Sequence, residues 1–141
     1  MAWSLIASLL FLEKQKKCNK NVLAIKLPNK KIITGKQTNI LSPAGSLILN
    51  AMKELTKIPD DIDLLSPNVL EPMLNLKNEL KTGNRLTLPE ILTALSICST
   101  TNPIVEKAIN NLKKIKGCEA HATYIVDNGD KKTLKNLKIN N

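Results

Sequence analysis

The residues Cys118-Glu119-Ala120-His121-Ala122-Thr123 include the only histidine of the chain. Side chains of an extended strand alternate, so Glu119, His121 and Thr123 share one face and Cys118 points to the other. A thiolate–imidazole pair made within this strand is therefore disfavoured. The Glu–His–Thr row could bind a polar ligand, or orient an acid–base histidine if another segment supplies the reacting group. It could equally hold a histidine hydrogen-bonded between sheet and helix. The comparable polar cluster is a helix start at Ser99-Thr100-Thr101-Asn102. Thr101 and Asn102, beside unpaired helix amides, could meet the row around an anionic or carbonyl-bearing ligand. Redundant capping accounts for the same residues.

A second candidate is Gly35-Lys36-Gln37-Thr38, between a strand and a helix. A phosphate loop needs a glycine five positions before its Gly-Lys pair and a hydroxyl directly after it; here Lys30 and Gln37 stand in those places. Lys36 and the free amides after Ser42 could still hold an anion at a helix start, and an ordinary loop with a capping serine explains them as well. No catalytic residue can be named. Metal binding is not expected either, because one histidine and the scattered Cys18, Cys98 and Cys118 show no convergent spacing.

These groups sit in a chain of 141 residues, enough for one domain with a real core. Hydrophobic residues make up 43% of it, which excludes disorder. A formal charge of +9 invites a nucleic-acid or anionic partner. Arg85 is the only arginine and Trp3, Phe11 and Tyr124 the only aromatics, so bidentate base reading and base stacking lack their residues. Nucleic-acid binding is expected to be weak and non-specific, with a solvated lysine surface as the plain alternative. The apolar run Trp3 to Leu12 is too short for a membrane span. Its lysines follow it rather than precede it, unlike a secretory signal. A cytoplasmic protein with reduced thiols is expected.

The elements that would position the candidates follow from periodicity and caps. Residues 2–17 carry helical spacing. Val22–Pro28 and Lys31–Gly35 read as a hairpin turning at Asn29 and Lys30. Ser42-Pro43, Ser66-Pro67 and Asn102-Pro103 each open a helix, and Thr87 opens another with Pro89 in its first turn and Glu90 placed for a capping box. Pro72 should kink or restart the second of these. The last of the four should run to Gly117. Residues 118–126 read as a strand, Asn128-Gly129 as a turn and Lys131–Leu137 as a short helix. The expected class is α+β: a helix-rich single domain over 1–141 with a small sheet, formed by the hairpin and the late strand.

The stretches LPNKKIITGK, LILNAMKELTKIPDDIDLLSPNVLEPMLNLK, LTALSICSTTNPIVEKAINNL and KGCEAHATYIV resemble the C-terminal domain of domain-of-unknown-function family 1846, also called uncharacterised protein family 0371, a bacterial group. The resemblance runs from about Ala7 to Ile139. Its members are longer chains whose larger N-terminal part carries a glycine-rich, phosphate-loop-like segment, and some bear the label of ATP-dependent peptidase. The resemblance implies a detached accessory domain of a nucleotide-using protein. Any ATP or other nucleotide would be a cofactor of the full-length protein and not of this chain. The remaining N-terminal part is then the expected partner, with a homo-oligomer as a further option. The alternative is a stand-alone lysine-rich module that binds nucleic acid or an acidic partner. The resemblance supplies no catalytic residue.

Overall fold

A computed structural model describes residues 21–140; the helix expected over 2–17, together with Cys18, lies outside the described residues. Strands β1 (Val22–Lys26) and β2 (Ile32–Lys36) pair antiparallel, with Ile25 opposite Ile33 and Leu23 opposite Gly35. Their turn is closed by the Lys30 amide on the Leu27 carbonyl at 2.8 Å, with Lys30 at φ 69°. Asn29 accepts the Lys31 amide through its side chain at 3.0 Å, a local bond that suits asparagine to such turns. Strand β3 (Glu119–Ala122) pairs antiparallel with the other edge of β1, which gives the sheet order β2-β1-β3.

Four helices begin where their caps predict. Helix α1 (Pro43–Thr56) starts with the Ser42 hydroxyl accepting the Gly45 amide at 3.2 Å. Helix α2 (Pro67–Leu80) follows Ser66, whose side chain makes no capping bond. Helix α3 (Leu88–Cys98) starts with the expected capping box of Thr87 and Glu90, the Glu90 carboxylate accepting the Thr87 amide at 2.9 Å. Helix α4 (Pro103–Asn110) has Asn102 accepting the Ile104 amide at 3.0 Å. Helix α5 (Asn128–Asn136) completes the α+β layout.

Two boundaries differ from expectation, and at Pro72, where a kink or a restart is expected, helix α2 does not restart. Pro72 and Asn68, whose carbonyl loses its helical donor, are both exposed, so water can take the freed acceptor. Helix α4 stops at Asn110, and a 3₁₀ turn over Leu112–Ile115 carries the apolar stripe on to the fully buried Ile115. Strand β3 ends at Ala122, and Asn128-Gly129 form the first turn of α5 rather than a reverse turn. The Asp127 carbonyl already accepts the Lys131 amide there, at 2.8 Å, which makes the segment helical.

The core lies between the sheet and the helices. Leu23, Ile25 and Leu27 face Leu47, Ile48, Ala51 and Met52 of α1, with Leu88, Ile91 and Leu95 of α3 and Leu134 of α5 completing one cluster. The other sheet face is also closed at its centre, where Val22 and Ala24 are fully buried beside Ile32. Helix α2 stands apart. Its Val69, Leu70, Met73 and Leu74 are only partly buried, and the one buried residue on it is Lys77.

Candidate functional site

Strand register places Lys36, Glu119 and His121 on the sheet face away from the helical core. Thr34, Ala24 and His121 form one rung across the three strands, and Ile32, Lys26 and Glu119 the next. Lys36 pairs with Val22 on that face. It is two strand spacings, roughly 10 Å, from the β3 row. His121 Nε2 lies 3.5 Å from Glu119 Oε1, with 46% and 33% of these side chains exposed. Thr123 is committed elsewhere. Its hydroxyl accepts the Val22 amide at 3.1 Å and donates to the Val22 carbonyl at 3.2 Å, which extends the β1–β3 pairing past the end of the strand.

The polar helix start is spent on its own backbone. Ser99 and Thr100 donate to the Ser96 and Ile97 carbonyls at 2.7 and 2.8 Å, and Asn102 caps α4 while Thr101 stays exposed. Helices α3 and α4 pack on α1 and on each other, and α3 also packs on α5, whereas β3 packs on β1. The expected meeting of Thr101 and Asn102 with Glu119, His121 and Thr123 is not among these main packings.

The structure instead gathers a polar cluster around Ser42 that the sequence did not announce. Asp130 of α5, only 2% exposed, accepts the Leu88 amide at 2.8 Å and takes a hydrogen bond from the Ser42 hydroxyl. One carboxyl thus ties together the starts of α1 and α3. Burial pushes it above the usual carboxylate range. The two hydrogen bonds oppose that rise, and the charges of Asp127 and Glu90 add to it. Beside it, Lys77 reaches from α2 to Glu90 of α3 at 2.7 Å. Burial alone would raise the Glu90 carboxyl, but bonds from Lys77 and from the amide and hydroxyl of Thr87 outweigh it and hold the group below its ordinary value.

A cleft of about 310 Å³ opens over this cluster, lined by Ser42, Lys77, Arg85, Thr87 and Tyr124 among others. Arg85 donates to the Thr38 carbonyl at 2.7 Å, pinning the loop before α3 to the loop after β2. The Tyr124 hydroxyl is buried without a hydrogen-bond partner among the described residues. Burial holds the phenol strongly toward its neutral form, pushing its pKa well above the ordinary value, and the charges of Asp130 and Asp127 push it further. The cleft can hold a polar ligand. Among the described residues that line it, the Ser42 hydroxyl is bound to a carboxyl and a capped amide, and Lys77 is bound to Glu90. Among the described residues no group of three or more His, Cys, Asp or Glu could hold a metal ion. The thiols of Cys98 and Cys118 are free, and burial raises that of Cys118.

Signals for the missed residues existed. Lys77 lies four residues after Met73, on the inward stripe of α2, where a lysine needs a buried partner. Asp130 sits in the first turn of a helix, but the Asn-Gly pair before it reads as a reverse turn.

A family model described as the C-terminal part of domain of unknown function DUF1846 matches residues 7–141. The chain belongs to this family. A UPF0371 protein of Clostridioides difficile is 41% identical over 120 residues, covering 84% of this chain and 24% of the relative. One from Clostridium tetani is 41% identical over 133 residues, 89% of this chain and 26% of the relative. A third, from Clostridium botulinum, is 43% identical over 120 residues. The chain thus spans about a quarter of the length of these UPF0371 relatives and corresponds to the C-terminal part of a larger protein. Among the described residues, no helix of this DUF1846 domain is long and apolar enough to cross a membrane.

Proposed function

We propose that the chain acts as an accessory domain that docks, through helix α2, onto the part of a UPF0371 protein lying outside it. The observation that carries this reading is the apolar surface of α2. Leu76 and Leu80, one turn apart, are 55% and 62% exposed on a helix that buries little of itself. Exposed leucines at that spacing form the kind of patch by which one domain seats on another. The nucleotide chemistry implied by the family resemblance would then belong to the other part, since the described cluster around Ser42 and Asp130 is knitted into the fold.

The test is a binding titration between this chain and the C. difficile relative shortened by its matching quarter. Saturable binding by the wild type, weakened at least about tenfold in a Leu76→Lys/Leu80→Lys double variant, supports the reading. Absence of binding, or equal binding by the double variant, rejects it.

A further inference from the structure

The basic residues of the chain gather toward its two ends. Residues 1–36 carry eight lysines and residues 107–141 another eight, while the stretch between is net acidic. The sheet brings parts of both ends together. Strand β3 pairs antiparallel with β1, so its first residue, Glu119, stands opposite Lys26, the last of β1. A cavity of about 440 Å³ lies at this end of the sheet, between the β1–β2 turn and the chain that leads into β3. That volume is within the range of roughly 300–1,000 Å³ that small-molecule sites occupy.

Three lysines line the cavity, each from a different segment: Lys26 from β1, Lys30 from the turn and Lys116 from the loop before β3. Lys30 and Lys116 are exposed and Lys26 is partly so. Among the described residues none of the three ammoniums has an ion-pair or hydrogen-bond partner. Glu119 is the one acidic residue of the described lining, and its carboxylate is 3.5 Å from His121. Three lysines against one carboxylate leave the lining net positive by two charges. The backbone that carries the outer two lysines is tied down. The Lys30 amide is bonded to the Leu27 carbonyl, and the amide of Gly117, next to Lys116, donates to the Lys138 carbonyl at 2.7 Å. Like charges held around a concavity focus its potential and draw in an anion.

We propose that this cavity binds a compact polyanion of the diphosphate type, with Lys26, Lys30 and Lys116 meeting its oxygens. An ammonium contacts phosphate oxygens as a point charge and needs no planar fork, so lysines alone suffice. Two linked phosphates carry more charge and reach further than one, so they can engage lysines from separate segments at once. The α2 surface takes no part in this site, which does not depend on docking.

The whole 141-residue chain is titrated by calorimetry with inorganic pyrophosphate at fixed ionic strength, and with orthophosphate for comparison. Pyrophosphate should bind saturably and at least about tenfold more tightly than orthophosphate. A Lys26→Gln/Lys30→Gln/Lys116→Gln variant should lose at least about tenfold in pyrophosphate affinity. Lys36→Gln/Lys81→Gln/Lys131→Gln removes the same charge from exposed lysines outside the cavity and should stay within about twofold of the wild type. Lys30→Gln alone, at an exposed turn position, should lose at least about threefold and serves in place of the cavity triple if that variant melts early. Glu119→Gln should bind pyrophosphate more tightly, since it removes the opposing charge. Failure of pyrophosphate to saturate, equal affinity for orthophosphate, equal losses in the two triple variants, or weaker binding by Glu119→Gln would each overturn the proposal.

Discussion

Gly35 of β2 and Leu47 of α1 meet backbone to backbone: a Cβ placed on Gly35 would fall inside contact distance of the Leu47 amide and 2.6 Å from the Pro43 carbonyl oxygen. The glycine beside Lys36 is thus a packing glycine. It lets the helix start press directly on the sheet and sets where Lys36 and Ser42 stand.

Gly35→Ala should destabilise the domain by about 1–3 kcal/mol, toward the upper end because helix and strand backbone cannot swing aside as a side chain could. Equilibrium denaturation measures this. A loss under about 0.5 kcal/mol, the range of neutral surface changes, would show that α1 is not seated as described.

Much of this was legible in the sequence, and the reason is local. Ser42-Pro43, Thr87 with Glu90, and Asn102-Pro103 announce helix starts because the capping bond spans only two or three residues. The hairpin was legible for the same reason. What was not legible depends on contacts across the fold. Asp130 and Leu88 lie 42 residues apart, and nothing near Asp130 shows that its carboxyl will cap another helix. The extent of β3 failed similarly, since Thr123 through Val126 look like strand, yet the last rung on β1 is Ala122 and the chain bends at Thr123 and Tyr124. For the candidate site, face alternation correctly grouped Glu119 with His121, but the proposed meeting with Thr101 and Asn102 needed tertiary placement that periodicity does not carry.

Asp130→Asn should keep the Leu88 amide bonded while removing a buried charge, so its stability near neutral pH should equal or exceed that of the wild type. Asp130→Ala leaves that amide unpaired and should cost about 1–3 kcal/mol. The pH dependence has a definite sign. The folded carboxyl titrates above its ordinary value of 3.8, so the folded state binds more protons in that interval. The Asp130 contribution therefore weakens as pH rises from about 4 through the raised value, and Asp130→Asn should lack this slope. Chemical denaturation from acid to neutral pH checks both points, and an identical slope in wild type and variant would refute the assignment.

The Lys77–Glu90 pair should behave asymmetrically. Lys77 has 9% of its side chain exposed and Glu90 35%, so the lysine is the partner that cannot turn to water. Glu90→Gln strands a buried ammonium and should cost about 1–3 kcal/mol, less than a fully buried pair because Glu90 is partly screened. Lys77→Met should cost less, since its stem is replaced by one of similar shape and Glu90 retains Thr87. Glu90 also titrates in the opposite sense to Asp130. Its folded value is depressed, so its contribution is full above about 4.5 and is lost as pH falls through the lowered value. Equal losses in the two variants would mean that burial of Lys77 is not what the pair serves.

Duplex DNA should bind weakly and without sequence preference, because a lysine surface with one arginine gives mainly counterion release. Affinity should fall steeply with added salt in a fluorescence titration. Retention of one preferred sequence near physiological salt would count against it.

His121 provides the sharpest separation between a surface and a core reading of the late strand. Its ring is nearly half exposed and faces Glu119 at 3.5 Å, on the sheet face away from the helices. An exposed pair of this kind contributes about 0–1 kcal/mol, so His121→Ala should shift the unfolding free energy by no more than that. The neighbouring Thr123 gives the internal control. Its hydroxyl both accepts from and donates to the backbone of Val22, and Val22 is fully buried. Thr123→Val removes both bonds while keeping the shape and leaves the Val22 amide without that acceptor, which should cost about 1–3 kcal/mol. Parallel urea denaturations of the two variants give the comparison directly. If His121→Ala proved the more damaging, the histidine would be part of the packing, and the Glu119–His121 face would no longer qualify as a surface open to a ligand.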